Sequence, residues 1–245
     1  MDILLCFFDM EIIMNEQEKR VQEEFDQWSD SGRAESMARG HHSMTMQCLQ
    51  QWNFSNDDVV LDIGCGNGWA VREMLLQGAG FGIGVDLSPK MIQRAESTSK
   101  SREEYHVANA ETLPFPDEHV DVILSVESLY YYSDPACALK EWYRVAKKGA
   151  RLGILIDLFQ ENDGSHAWVD ALTIPVHLLS IEQYKQMLRD AKWENISHQL
   201  FYDHRPLKKR SDFTPDLYWP SYEKYLRFKE VGSLCLMAEK PDSTL

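Results

Sequence analysis

No apolar run in this sequence approaches the roughly 20 residues that a membrane-spanning helix needs. The opening Ile3-Leu4-Leu5-Cys6-Phe7-Phe8 stretch is apolar but short. It lacks a basic leader and runs into Asp9 and Glu11, which argues against a secretory signal. Met14 opens a more conventional polar start, so the first thirteen residues read as an upstream extension. Cysteine is sparse and scattered. Cys6, Cys48, Cys65, Cys137 and Cys235 are odd in number and contain no Cys-x-x-Cys pair. Neither a disulfide framework nor a zinc site is expected, and reduced thiols in a cytoplasmic protein are. Positive charge is scarce as well: 25 Lys and Arg face 39 Asp and Glu, a formal net charge of -14. That balance disfavours a nucleic-acid partner held through its phosphates. Lys208-Lys209-Arg210 is the only tight basic cluster and reads as a solvated loop. No fixed-period repeat or low-complexity tract is present. What remains is a 245-residue chain, 44% apolar and 26% charged, with the composition of a globular domain carrying at most a small lid.

Short apolar runs alternate with amphipathic stretches of helix length. Strands are expected over Val59–Ile63, Gly80–Val85, Tyr105–Val107, Val120–Val126, Arg151–Leu158, Ile196–Tyr202 and Ser233–Glu239. Helices are expected over Glu16–Trp28, Ser43–Trp52, Trp69–Gln77, Pro89–Lys100, Pro135–Ala146 and Ile181–Ala191. Ser88 before Pro89 and Asp134 before Pro135 are suited to cap their helices, and Ser180 with Gln183 has capping-box spacing. Gly149, after Lys147 and Lys148, reads as a helix end. Strands separated by single helices imply a parallel sheet covered on both faces. The segment 204–231 breaks the alternation. It is rich in aromatics and reads as a lid or a long connection.

The strongest local signal is Asp62-Ile63-Gly64-Cys65-Gly66-Asn67-Gly68, where a buried strand runs through a glycine turn into a helix. Glycines there permit unusual dihedrals and a close ligand approach, and the helix start favours a negatively charged ligand group. The Gly-x-Gly-x-Gly spacing departs from the Gly-x-Gly-x-x-Gly dinucleotide pattern. Asp86 ends the next strand, where a carboxylate is placed to accept bonds from ribose hydroxyls.

These segments make the chain resemble the class I S-adenosylmethionine-dependent methyltransferases, in the small-molecule group of the ubiquinone and menaquinone enzymes (type 11). Asp62–Gly68 is similar to that family's first motif, and Gly84-Val85-Asp86-Leu87-Ser88-Pro89 to its second. Ala108-Asn109-Ala110-Glu111-Thr112-Leu113-Pro114-Phe115-Pro116-Asp117 resembles its adenine-edge segment, and Arg144–Ala150 its turn before the fifth strand. The resemblance covers residues 58–158 closely and fades after Trp193. It implies an α/β, Rossmann-like seven-stranded sheet, mostly parallel with the last strand antiparallel and helices on both faces. Residues 1–54 would form a helical cap and 55–245 the cofactor-binding domain.

The implied cofactor is S-adenosylmethionine. Its methionine portion would lie against Asp62, Gly64, Cys65, Gly66 and Gly68, and its ribose on Asp86. The adenine would lie between Leu87 and Ala110 with its amino edge toward Asn109, and Val126 belongs to the same implied site. Asn109 stands where the family usually has aspartate; its amide oxygen still accepts a hydrogen bond. Lys148 and Ala150 replace a proline and a glycine of the later turn.

Methyl transfer from a sulfonium needs alignment and exclusion of water more than acid–base groups. The acceptor is expected beyond the end of the fourth strand. Glu127, Tyr130 and Tyr131 are candidates to shape its pocket, with His166 and Trp168 from loops after the fifth strand; the tyrosines are equally able to pack as core. His41-His42, with Trp28 and Arg33, is suited to a cap over the cofactor. The pair makes no convincing metal site, because adjacent side chains diverge and no third ligand is evident. No metal is expected, and no catalytic residue is assigned. Ser125-Val126-Glu127-Ser128 replaces the Asp/Asn-Pro-Pro-aromatic motif of enzymes that methylate base amines. A small neutral or cationic acceptor is therefore expected. The competing readings are a nicotinamide-dependent oxidoreductase, disfavoured by the glycine spacing, and a non-catalytic S-adenosylmethionine-binding module with a regulatory or assembly role. Nucleic-acid or protein methylation is a third, disfavoured by charge and by the missing motif.

Overall fold

Alternation of apolar side chains explains how the sheet is covered. In the computed structural model, which describes residues 14–242, β1 is Val59–Ile63, β4 Val120–Val126 and β5 Ala146–Ile156. Leu61, Ile63, Ile123, Ile154 and Ile156 join one buried cluster; Val60, Val122, Leu124 and Leu155 join another. Successive side chains leave a strand on opposite faces, so these strands need cover on both. The first cluster takes Leu139 and Trp142 of α5 (Pro135–Val145) and Leu188 of α7 (Ile181–Asp190). The second takes Cys48 and Leu49 of α2 (Arg33–Leu49) and Met74 of α3 (Trp69–Leu76).

With β2 (Phe81–Asp86), β3 (Glu103–Val107), β6 (Glu194–Phe201) and β7 (Ser233–Glu239), the sheet has seven strands in the order β3-β2-β1-β4-β5-β7-β6. β1 to β5 pair in parallel, and β7 lies antiparallel between β5 and β6. This is the Rossmann-like architecture expected from the sequence. Strand order reverses between β1 and β4, which opens a crevice at their carboxyl ends, the usual place for a ligand in such sheets.

Local chemistry sets most helix starts. Asn15 opens α1 (Glu16–Asp30) with a capping box to Glu18, Ser88 caps α4 (Pro89–Glu96) through Met91 N, and Asp134 caps α5 through Cys137 N. Ser180 and Gln183 form the expected capping box on α7. Gly149 is a correction. Helix α5 ends at Val145, and Gly149 lies within β5 at φ 75°, where its N–H bonds to Lys240 O. Helix α2 starts ten residues before the expected Ser43, after a left-handed Gly32 with no side-chain cap. Helix α4 stops at Glu96, short of the expected Lys100. The segment 204–231 is not all connection: Ser221 caps α8 (Tyr222–Val231), whose Phe228 packs on Trp168 and Trp219. Trp168 itself opens a one-turn α6 (Trp168–Ala171). Among the described residues, no helix is long and apolar enough to cross a membrane, and Cys48, Cys65, Cys137 and Cys235 are free. The apolar run at residues 3–8, Cys6 and the reading of the first thirteen residues as an extension lie outside the described residues.

Helices α1 and α2 cross over the crevice and are tied to α4. Ser88 Oγ donates to Asp26, Ser29 Oγ donates to Lys90 O, and Lys90 and Arg94 form ion pairs with Asp30 and Glu35.

Candidate active site

The chain leaves β1 through Gly64-Cys65-Gly66-Asn67-Gly68 into α3. Gly64 (φ 77°) and Gly66 (φ 53°) occupy left-handed dihedrals that cost glycine little. A Cβ on Gly64 would run into the Ser128 side chain, whereas the space beside Gly66 is open. The first is therefore a packing glycine, and the second leaves the main chain approachable. Amides of the turn stitch it to the end of β2: Gly64 N and Cys65 N donate to Val85 O at 2.8 and 3.0 Å. Gly66 N and Ser88 N donate to the two Asp86 carboxyl oxygens, each at 2.9 Å.

Asp62 is buried and Asp86 half-buried, and among the described residues neither forms an ion pair with a basic side chain. Burial pushes the Asp86 carboxyl up to about 6, against the pull of the Ser88 and Gly66 amides. Asp62 is pushed up to about 8 by burial and then by the Asp86 charge. Burial also pushes the Cys65 thiol up, with the Asp86 and Asp62 charges adding to it. Oδ1 of Asp62 and Oδ1 of Asn67 are buried and accept no hydrogen bond. Buried acceptors left without donors are costly, so this pair fits a ligand that brings N–H groups.

A cavity spanning about 750 Å³, part of it open to solvent, lies here, with Gly64, Cys65, Gly66, Asp86 and Leu87 on its floor and Val21, Phe25, Trp28, Met37 and His41 of α1 and α2 above. A smaller one of about 390 Å³ shares Asp86 and Leu87 with it and reaches Asn109, Ala110 and Glu18. Asn109 Oδ1 accepts from Glu111 N at 2.9 Å, and its amide nitrogen donates to Glu18 Oε1 at 2.8 Å. Helix α1 thus meets the side chain that the sequence placed at an adenine edge.

The other half lies past β4. Val126 and Glu127 line the larger cavity with Tyr131 and Tyr132. Glu127 has φ 54°, an uncommon conformation for a residue with a side chain. Its Oε2 accepts from Tyr130 OH at 2.8 Å and its Oε1 from Asp157 N at 2.6 Å. Burial, and then the Asp157 charge, push the Glu127 carboxyl well up. Ser128 Oγ donates to Ile63 O at 2.9 Å and accepts from Tyr132 OH at 2.8 Å, tying the β1 and β4 ends together.

Of the residues singled out in the sequence, Gly64, Cys65, Gly66, Asp86, Leu87, Val126, Glu127 and Tyr131 line the larger cavity, and Asn109 and Ala110 the smaller. Asp62 is buried behind the turn, and Gly68 packs on Tyr105. Tyr130 is buried behind Glu127. His166 and Trp168 line neither cavity. The His166 ring bonds to Gln160 O, and Trp168 is held in the aromatic cluster with Trp219 and Phe228, which draws both away from the crevice. His41 lines the cavity, while His42 faces Glu73. Sequence reasoning missed Glu18, Phe25 and Asp157. The pairing of Asn15 with Glu18 in a capping box was a readable signal for the α1 start; nothing local marked Asp157.

Comparison with known proteins gives these features a context. A family model described as "Methyltransferase domain" matches residues 61–154. A chain solved in the complex between the Haloferax volcanii Trm112 methyltransferase activator and the putative methyltransferase is 30% identical, with a TM-score of 0.82 over 89% of this chain and 98% of that one. A 27-O-demethylrifamycin SV methyltransferase from Amycolatopsis mediterranei is 30% identical over 148 residues, 56% of this chain. The chain spans about half the length of that curated relative (54%). Haemonchus contortus phosphoethanolamine N-methyltransferase 2, solved with S-adenosyl-L-methionine, shares the fold at 18% identity and a TM-score of 0.63, over 81% of this chain and 52% of that one.

Proposed function

Since the chain belongs to the class I S-adenosylmethionine-dependent methyltransferases and uses S-adenosylmethionine as its cofactor, we propose that it methylates a small-molecule acceptor. The observation that carries this reading is the single crevice in which the glycine turn and Asp86 lie under a roof of α1 and α2, with Glu127 at its far wall. Its apolar roof, Val21, Phe25, Trp28 and Met37, favours a compact, partly apolar acceptor over an extended polymer.

In this reading Asp62 and the turn Gly64, Cys65, Gly66 and Gly68 hold the methionine portion, with the unpartnered Asp62 and Asn67 oxygens accepting from its amino group. Asp86 holds the ribose, and Leu87, Asn109 and Ala110 surround the adenine, with Glu18 fixing the Asn109 amide. Val126 completes the cofactor wall. Glu127 and Tyr131 face the acceptor, and Tyr130 positions Glu127. When bound, the cofactor supplies an electrophilic methyl carbon on a sulfonium. The chain's own part is to align the acceptor with that carbon and to keep water out beneath α1 and α2. Residues 14–54, with α1 and α2, act as the cap, and 55–242 as the cofactor-binding body.

Incubation with cofactor carrying a tritiated methyl group, followed by size fractionation, tests the acceptor class. Label in the low-mass fraction of a cell extract is expected; label confined to protein or nucleic acid would overturn it. A second reading is assembly with an activating protein. The likeness to the Haloferax chain and the sheet edge at β3, which among the described residues pairs only with β2, favour it. A non-catalytic binding module predicts cofactor binding with label in neither fraction.

A further inference from the structure

At the acceptor end of the crevice, two neighbouring strands deliver acids to one spot. β4 and β5 run parallel with Val126 opposite Leu155, and Glu127 N donates to Leu155 O at 2.9 Å. The chain therefore leaves both strands side by side, and Glu127 (7% exposed) and Asp157 (2%) sit together away from water. His41 comes down on them from α2, with Nδ1 3.6 Å from Asp157 Oδ2. One ligand-type atom of each of the three residues lies within 4.8 Å of the other two.

The cluster is short of positive charge. Among the described residues, no Lys or Arg forms an ion pair with either acid. Asp157 Oδ1 is fully buried and has no hydrogen-bond partner. A buried, unpaired carboxylate is expensive to maintain, and a bound cation offsets that cost. Glu127 is already oriented by Tyr130 OH and Asp157 N, as outer partners orient the carboxylate ligands of metal ions. It also holds the uncommon positive φ that recurs at functional sites.

We propose that His41, Glu127 and Asp157 bind one divalent transition-metal ion at the acceptor end of the cavity. One imidazole nitrogen with two carboxylates suits manganese, iron or zinc; calcium and magnesium favour all-oxygen sets. Ligands at about 2.2 Å from an ion lie at most about 4.4 Å apart, so the three atoms, within 4.8 Å of one another here, have only to draw closer around it. Three protein ligands leave positions open toward the cavity, which His41 and Glu127 line. There the ion polarises an acceptor oxygen. The acceptor O–H would lose its proton to solvent as it binds, before the roof closes over it; an oxygen lone pair would then bond to the methyl carbon and the carbon–sulfur pair return to sulfur. That use of the ion rests on the methyl-transfer reading; its binding does not.

The test is calorimetric titration of the chelator-stripped full chain with manganese chloride and zinc chloride, with no acceptor present. Saturable binding near one ion per chain is expected, weakened at least ~10-fold in His41→Gln and Asp157→Asn. His42→Gln, whose ring faces Glu73, should bind as the unaltered chain does. Cofactor affinity measured on the same samples reports that the variants are folded, and transfer of the tritiated methyl group reads the methyl-transfer proposal separately. Absence of saturable binding in the unaltered chain would overturn the site. So would binding that both the His41 and the Asp157 variants retain in full. Should His41→Gln fail to fold, the broadening of the manganese electron-resonance signal by the unaltered chain decides alone.

Discussion

The two halves of the crevice bury acids by different means. In the cofactor half, Asp86 is held by main-chain amides of Gly66 and Ser88, and Asp62 lies next to it within β1. In the acceptor half, Glu127 is held by one side chain, Tyr130, and one main-chain amide, Asp157 N, and the third member, His41, comes from a helix far away in the sequence. A site stitched by backbone amides depends on the path of the chain and so on a few glycines. A site assembled from side chains depends on which distant elements the fold brings together. The first kind tolerates change in its side chains except at the acids themselves, and the second is easily altered without disturbing the sheet.

Substitutions that separate the halves sharpen that contrast. The largest effect is expected at Asp62. Its carboxyl is raised to about 8 in the folded protein, against about 4 when unfolded. The favourable contribution of its neutral form is complete below pH 4 and is lost as pH rises through about 8. The ligand-free protein should therefore lose stability across that window, and Asp62→Asn should remove the loss. At pH 8.5 the variant should be more stable by roughly 2–5 kcal/mol in urea denaturation, yet bind cofactor more weakly. Equal pH dependence in the two proteins would show that Asp62 is not buried as described.

Next comes Asp86→Ala, which removes the carboxylate proposed for the ribose. A loss of about 1.5–3 kcal/mol in cofactor binding is expected by calorimetry. Unchanged affinity would remove the ribose from this position. The smallest effect belongs to the other half. Tyr130→Phe deletes one buried hydrogen bond to Glu127 and should cost about 1 kcal/mol of stability, with cofactor affinity unchanged. A parallel loss of cofactor affinity would mean that the halves are coupled through the turn at residues 129–131 and Ser128.

Legibility in the sequence followed the same division. The Asp62–Gly68 turn, Asp86 and the helix caps at Ser88, Asp134 and Ser180 could be read directly, because each rests on a short-range rule of backbone geometry. So could the strands, through alternation that is apolar on both faces. Helix α2 could not: Gly32 opens it in a left-handed conformation with no side-chain cap, so no start signal precedes Arg33. Helix α8 carried signals that aromatic richness obscured, Ser221 before its first turn and Gly232 after its last. His166 and Trp168 were drawn to the site by their place after β5, but the ring cluster around Phe228 holds Trp168 elsewhere. The meeting of His41 with Asp157 joins two residues with no local relation, and only the folded arrangement of α2 over β5 reveals it.

The ties between the roof and α4 differ in their response to salt. Lys90 with Asp30 and Arg94 with Glu35 anchor α1 and α2 beside the cofactor floor; the first pair is exposed to solvent and the second half-buried. Exposed ion pairs are screened within a Debye length of about 8 Å at physiological ionic strength. The attachment of the roof to α4 therefore has a part that salt weakens, the ion pairs, and a part that it leaves alone, the packing of Trp28 and Ala34 on Met91.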